Sequence, residues 1–284
     1  MEAFYYHIAW RSRGGRVGGH PTKITGGHAD FNAHVPLMQN FNPKRIDLRA
    51  SLKTVPKQLM VRTFHERYAI QAYAVVDMST SMNFVGQQHK WQLSTEIVQA
   101  IAWSAICNGD TFGCVAADDS LRMDVYEPST HRAAVVDDIA SKMRSVQFTQ
   151  PVGIKALPRV NELLPARRSL VFLISDFYMD EALLTQSLQN LTAHDVVPIV
   201  IWDSAEINEL PDWGWMRVND MEGNGTRSVF LRPALKKAIQ HTYHARQQRL
   251  TQLFTSAGTR PPFFVLNQFH SEAMTQHMLE DSGC

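Results

Sequence analysis

Two short segments place acidic and hydroxyl side chains where they could act together. Asp77 heads the run Asp77-Met78-Ser79-Thr80-Ser81, an Asp-x-Ser-x-Ser pattern behind the apolar stretch Tyr73-Ala74-Val75-Val76, and Asp176 ends the apolar stretch Ser169 to Ser175. In an open parallel sheet the functional crevice lies beyond the carboxyl ends of the strands, where both carboxylates would stand. Two carboxylates and two serine hydroxyls form an all-oxygen donor set, which suits a hard cation, Mg²⁺ or Mn²⁺, rather than zinc. The short serines reach a metal directly from a tight loop; the carboxylates accept backbone N–H groups and bind the ion through water. Waters left on the ion are positions that an incoming carboxylate can take. The plainer alternative is a polar loop in which Asp77 and the serines cap the next helix. Context favours the metal site, since the motif follows a buried strand, precedes a helix and is matched by an Asp at a second strand end.

The elements that must position these residues are legible from Tyr68 onward, as strands alternating with helices. Tyr73 to Asp77 reads as a buried strand, and Lys90 to Cys107 as a helix with Leu93, Ile97, Ile101 and Ala105 at four-residue spacing, stopped by Asn108-Gly109-Asp110. Thr111 to Ala117 and Leu121 to Tyr126 read as antiparallel strands joined by Asp118-Asp119-Ser120. Helices are expected over 130–143, 153–164 and 180–191, with strands over 169–174 and 196–202. Met216 to Val218 and Ser228 to Leu231 suggest a hairpin around Glu222-Gly223-Asn224-Gly225. A long helix starts behind Pro233 with Leu235, Ile239, Leu250, Leu253 and Phe254 on its apolar stripe, and Pro261-Pro262 precedes a final strand, Phe263 to Leu266, and a short helix. Alternation of this kind predicts an α/β fold with a mostly parallel sheet and helices on both faces.

The first part of the chain differs. Residues 1–67 carry 11 Lys/Arg against 4 Asp/Glu, or +7, whereas residues 68–284 carry 17 against 23, or −6. A basic arm docked on an acidic remainder is the simpler reading, and a basic surface for nucleic acid, lipid or an acidic partner the sharper one. The arm's aromatic residues follow no RNA-binding signature, which argues against nucleic acid. Six of the 15 glycines lie between Gly14 and Gly27, and that stretch reads as loop; it matches no phosphate-binding motif. The expected division is a basic Gly-rich segment over 1–67 packing on the main domain, the α/β domain over 68–267, and a C-terminal helix and tail over 268–284.

Composition narrows the class. With 44% hydrophobic and 19% charged residues in 284, the chain is of ordinary globular type and excludes disorder and collagen-like repeats. Its three cysteines, Cys107, Cys114 and Cys284, stand at no metal-ligand spacing and suit a reducing compartment; Cys107 and Cys114 read as small buried residues. The apolar runs are of strand length, far short of the roughly 20 residues of a membrane span, and the start lacks the pattern of a signal peptide. A cytoplasmic protein is expected. Trp213 and Trp215 are expected to pack over a sheet edge.

The run Ala74 to Met82, with Gly109-Asp110 and Leu173-Ile174-Ser175-Asp176-Phe177, resembles a von Willebrand factor A domain with a metal-ion-dependent adhesion site. Asp30-Phe31, Lys44 to Ser51 and Val61 to Arg67 resemble the segment preceding this domain in the bacterial MoxR-associated family, domain of unknown function fifty-eight. Trp202-Asp203-Ser204-Ala205-Glu206 stands where that family has Asp-x-x-Glu, and Leu210-Pro211 with Asn219-Asp220 where it has Leu-Pro before an Asp-x-x-x-Gly turn. The resemblance covers about residues 26–235. It implies a Rossmann-like fold, a Mg²⁺ or Mn²⁺ site at Asp77, Ser79, Ser81 and Asp176, and a MoxR-type AAA+ ATPase as partner, the pair acting like a chaperone in assembly of, or metal insertion into, a client complex. Gly18-Gly19-His20 and the lack of membrane-length apolar runs point within the family to the branch associated with methanol oxidation, whose client is a dehydrogenase. Departures exist: Asn42-Pro43 replaces Gly-Asp, Leu48 replaces Trp, and Pro151 stands where the family has its third-loop threonine. Thr149, two residues earlier, is the substitute ligand.

Enzymatic rivals lack their motifs. A haloacid-dehalogenase-like phosphohydrolase needs Asp-x-Asp, and position 79 is Ser, so the general acid is missing. A serine hydrolase needs a Gly-x-Ser-x-Gly elbow, which is not present. The sequence therefore reads as a non-enzymatic, metal-dependent interaction module, with a metal-independent interaction scaffold as the alternative.

Overall fold

The computed structural model describes residues 2–8, 10, 17–206, 213–219 and 226–280. It divides into two units: His7–Ile70 with Asn108–Asp110, and Met1–Tyr6 with Gln71–Cys107 and Thr111–Cys284. The division thus falls three residues beyond the boundary expected at 67, and the C-terminal helix belongs to the second unit.

The first unit is built on an antiparallel ladder of β1 (Val17–Pro36) and β2 (Met60–Tyr68), with the short helix α1 (Leu48–Lys53) between them. Residues 17–27, expected as loop, lie within β1 instead. Glycine weakens a strand without forbidding it when a partner supplies the ladder hydrogen bonds, and it marks places where the ladder bulges. The β1–β2 register shifts at four places; those between Val17 and His20 and between Thr25 and Asp30 contain Gly18-Gly19 and Gly26-Gly27, whereas those between Pro21 and Thr25 and between Phe31 and Ala33 contain no glycine. Gly14-Gly15 lies outside the described residues. Helix α1 starts where Asp47 caps it, its side chain accepting the Ala50 N–H at 3.1 Å.

The second unit has a six-stranded sheet. Its strands are β3 (Gln71–Asp77), β4 (Thr111–Ala117), β5 (Glu127–Thr130), β6 (Leu170–Ser175), β7 (Asp195–Trp202) and, after a hairpin, β10 (Phe263–Leu266); that hairpin pairs β8 (Gly214–Asn219) with β9 (Thr226–Leu231). The spatial order is β10-β7-β6-β3-β4-β5, all parallel except the edge strand β5. Helices α2 (Lys90–Cys107), α3 (Val135–Ser145), α4 (Glu181–Asn190), α5 (Pro233–Ser256) and α6 (Ser271–Glu280) accompany it. This is a Rossmann-like arrangement, with a parallel sheet, helices on its faces and one antiparallel edge, as the resemblance to a von Willebrand factor A domain implies. After β3 the chain builds outward to β4 and β5, then returns to place β6 on the other side of β3. The switch point therefore lies between β3 and β6.

Near-continuous apolar runs dictate the central strands. Ala72 to Val76 and Leu170 to Ile174 are fully or almost fully buried, as a strand covered on both faces requires. Phe4 joins the same core, its N–H donating to Ser104 Oγ at 2.9 Å and its ring meeting that of Phe172 edge-on at 5.9 Å. Helix α4 is capped by Asp180, which accepts the Ala182 N–H at 3.2 Å.

Several local expectations are corrected. The antiparallel edge is Glu127–Thr130; residues 121–126 make only a single bridge, Ala117 to Leu121. The helix expected from Thr130 begins at Val135, and that expected over 153–164 is a short 3₁₀ turn, Leu157–Glu162, because Pro158 removes an N–H that an α-helix would need. Trp213 and Trp215 are exposed and meet Phe230 of their own hairpin. Cys114 is buried as expected, but Cys107, at the end of α2, is exposed. The hairpin turn at 222–225, along with Leu210-Pro211, Asp220 and Cys284, lies outside the described residues.

Candidate functional site

The switch point brings the two carboxylates together. Parallel pairing sets Val76 beside Ile174, so Asp77 ends its strand next to Ser175, whose Oγ donates to Asp77 Oδ2 at 2.5 Å. The other oxygen, Oδ1, accepts the Ser79 N–H at 2.7 Å, which folds the backbone into a tight turn. Ser79 and Ser81 then face each other, Oγ to Oγ, at 3.0 Å. Three of the residues expected in the site, Asp77, Ser79 and Ser81, are joined in one hydrogen-bonded turn.

Asp176 follows β6 and is 1% exposed. Its Oδ1 accepts the Tyr178 N–H at 3.2 Å, and its carbonyl accepts Trp202 Nε1 at 2.9 Å. The next residue, Phe177, has φ of 54°, in the left-handed region that a side chain with Cβ seldom occupies. It is held there from both sides: its N–H donates to Ser175 Oγ at 2.8 Å, and its carbonyl accepts the Arg246 guanidinium. Ser175 thus ties Asp77 and the Asp176 turn with one hydroxyl. It was not among the candidates drawn from the sequence, although it stands directly before Asp176.

Thr149 is exposed at the third loop. The loop is fastened to the motif by Thr80 instead: Val152 N–H donates to Thr80 Oγ1 at 2.8 Å and Thr80 N–H to the Val152 carbonyl at 3.0 Å. Pro151, which has no N–H to donate, sits inside this tether.

The largest addition to the predicted set is Lys90. Its side chain, 2% exposed, runs from the start of α2 to place Nζ 3.1 Å from Asp176 Oδ2 and 2.9 Å from Glu206 Oε1. The ammonium also lies 5.3 Å from the ring centroids of both Phe84 and Tyr178. Burial opposes its charge, but Asp176 and Glu206 outweigh burial and raise its pKa, so it is an ammonium. The sequence held a signal for it. A lysine in the first turn of a helix opposes the macrodipole, and such a residue needs a reason.

Asp203 closes the same end of the sheet. Its carboxylate accepts the N–H groups of Gln87 and Gln88, each at 3.2 Å, and of Ala205 at 2.8 Å. Gly86 lets the loop come this close, since a Cβ there would fall 2.5 Å from the Asp203 carboxylate. The Asp-x-x-Glu of the family resemblance thereby acquires a physical meaning: Asp203 binds the loop before α2, and Glu206 binds the first residue of α2.

The electrostatics of the crevice are unbalanced. Asp77, Asp176 and Glu206 are three carboxylates against one contacting ammonium. Burial and the neighbouring charge of Asp176 push the Asp77 carboxyl up to about 7. Glu206 is also raised, by burial first, against the pull of Lys90. A second cation would relieve this crowding. The donor set is entirely oxygen, which fits Mg²⁺ or Mn²⁺, with Asp77, Ser79, Ser81 and Asp176 as the residues that would hold it. Among the described residues, no group of three His, Cys, Asp or Glu side chains forms a metal cage, so such an ion would depend on hydroxyls and water.

A family model described as "Protein of unknown function DUF58" matches residues 44–249. The chain belongs to this family. No curated protein matches the sequence. Among solved structures, the DUF58 chain is similar to the BatB protein of Bacteroides thetaiotaomicron, at 11% identity over 76% of this chain and 100% of that one, with a TM-score of 0.45. It is similar also to the VWA domain of SpRpn10, at 13% identity over 75% and 95% of the two chains, with a TM-score of 0.39. Among the described residues of this DUF58 protein, no helix is long and apolar enough to cross a membrane.

Proposed function

We propose that this chain is a non-enzymatic protein-interaction module whose docking crevice is the switch point between β3 and β6. The observation that carries this reading is the convergence there of Asp77, Ser79, Ser81 and Asp176, an all-oxygen set with more carboxyl groups than the Lys90 ammonium contacts. A divalent cation held by these four residues would supply a coordination position for a carboxylate of the partner. The protein's own residues do the remaining work. Ser175 fixes the Asp77 carboxylate, Thr80 anchors the third loop, and Lys90 holds Asp176 and Glu206 together across the crevice.

The family resemblance supports a MoxR-type AAA+ ATPase as the partner. The pair would act in assembly or metal insertion of a client complex, of which a methanol dehydrogenase system is one candidate. One observation favours the second reading, a metal-independent scaffold: the cation already touching Asp176 is the Lys90 ammonium.

Calorimetric titration of chelator-treated protein with Mg²⁺ and Mn²⁺, wild type beside Asp77→Ala, separates the two. Binding heat in the wild type that vanishes in the variant is the expected result. Absence of heat in the wild type, with partner binding unaffected by chelator, would leave the scaffold reading in its place.

A further inference from the structure

The unit of residues 7–70 carries an exposed surface that the crevice does not use. Between β1 and β2 the chain folds back at one end of their ladder. Pro36 pairs with Met60, Leu37 N–H donates to the Leu59 carbonyl at 2.8 Å, and Asp47 N–H donates to the Met60 carbonyl at 2.8 Å. Ser51 Oγ accepts the Met60 N–H at 2.8 Å, fixing α1 against the same end. Residues 37–59 therefore form one rim.

Large apolar side chains stand out from it. Met38 and Val55 are each 93% exposed, Phe41 80%, Leu52 73% and Leu48 68%. Scattered apolar residues on a surface need no explanation, but five this exposed within 18 residues do. Exposed cations stand among them: Lys44, Arg49, Lys53 and Lys57. The only acidic residue of the stretch, Asp47, is buried and engaged by Arg62 and His34, so its charge does not offset theirs.

We propose that this rim docks on an anionic phospholipid surface. Apolar tips with adjacent lysines and arginines match the boundary between acyl chains and headgroups: the tips enter the apolar layer, and the long cationic stems reach back to phosphate. The form of the rim favours lipid over an acidic protein. The side chains protrude singly from three stretches, the loop at 37–42, the six-residue α1 and the loop at 54–59, and a fluid interface adapts to such tips. A protein partner would need a fitted pocket for each one.

The test is co-sedimentation of the full chain with vesicles of phosphatidylcholine alone and of phosphatidylcholine mixed with phosphatidylglycerol. The wild type is expected to pellet with the mixed vesicles only, and added salt to release it. The pair Phe41→Ser with Leu52→Ser, and separately Lys53→Glu, are expected to lower vesicle affinity about tenfold. Arg167→Glu, an equal change of charge at an exposed residue of the sheet unit, is expected to leave it unchanged. All these positions are exposed, and circular dichroism checks that the variants fold. A wild type that binds no anionic vesicle would overturn the proposal and turn the rim over to an acidic protein partner. Equal binding by Phe41→Ser/Leu52→Ser and wild type, or a loss with Arg167→Glu as large as with Lys53→Glu, would overturn it as well.

Discussion

Asp47 and Asp77 are both buried carboxylates that accept hydrogen bonds, yet their proton affinities move in opposite directions. Asp47, in the first unit, accepts the Ala50 N–H at 3.1 Å, Arg62 Nε at 2.7 Å and His34 Nε2 at 3.1 Å. The helix amide first, then Arg62 and His34, hold its carboxyl well below the usual range. Asp77 accepts an amide at 2.7 Å and a hydroxyl at 2.5 Å, and is nonetheless raised to about 7. Hydrogen bonds favour the ionised form in both places. What differs is the charge of the neighbours and the loss of water. Asp47 meets a guanidinium, whereas Asp77 is enclosed beside Asp176. The first is a structural cap with its charge already answered; the second is a carboxyl that burial and a like charge push towards its neutral form, a perturbation that functional clefts share.

The sharpest way to break this contrast is to remove Lys90, the ammonium in contact with Asp176 and Glu206. Lys90→Met leaves the buried Asp176 and the half-buried Glu206 without their counter-charge and is expected to destabilise the protein by about 3–5 kcal/mol in urea unfolding at neutral pH. Adding Asp176→Asn should recover part of that loss. A single variant as stable as wild type would mean that the ammonium does not hold the crevice.

The pH dependence should differ in sign between the two carboxylates. An unfolded chain releases the Asp77 proton near 3.8, while the folded protein keeps it to about 7. The stabilisation from this group is therefore full below pH 3.8 and is lost as pH rises towards 7, a change on the order of a few kcal/mol. With chelator present, Asp77→Asn should remove this decline from the stability profile. If divalent cation occupies the site, adding Mg²⁺ should flatten the wild-type profile too. An unchanged slope in Asp77→Asn would assign the decline to other groups.

Gly86→Ala probes a further carboxylate of that end of the sheet, Asp203. A Cβ placed 2.5 Å from the Asp203 carboxylate forces the loop before α2 to move, at a cost of about 1–3 kcal/mol. Thermal unfolding would show it, and an unaltered midpoint would mean that the loop is free to shift.

The smallest effect is expected at Asp47. Its folded pKa is depressed, so its stabilisation is present above about pH 3.8 and is lost only as pH falls further. Asp47→Ala should weaken the start of α1, lower stability modestly throughout the range above about pH 3.8 and flatten the acid limb of unfolding, leaving the slope across the neutral range as in wild type. A neutral-range effect rivalling that of Lys90→Met would erase the distinction between cap and crevice.

Much of this was written locally. Apolar runs ending in Asp77 and Asp176 identify two buried strands and the end of the sheet where chemistry can occur, because burial on both faces requires such runs and carboxylates cannot continue them. The Asp-x-Ser-x-Ser turn is equally local, since Asp77 bonds an amide only two residues away. The long helices α2 and α5 were legible from their apolar spacing and their boundaries at Gly109 and Pro233.

Other features depend on partners far along the chain. A glycine-rich stretch reads as loop until the antiparallel neighbour that pairs it is known, and β1 is such a case. Ser175 looks like a strand-end serine until register sets it beside Asp77, 98 residues away. Lys90 reads as the first residue of a helix, and only the return of β6 beside β3, with β7 beyond it, brings Asp176 and Glu206 to its ammonium. The order of residues determined which groups could act and on which elements they stand, because those are short-range matters of periodicity and capping. Which charges face one another was decided by the tertiary structure alone, because the strand order that sets β6 against β3 is a property of the whole sheet.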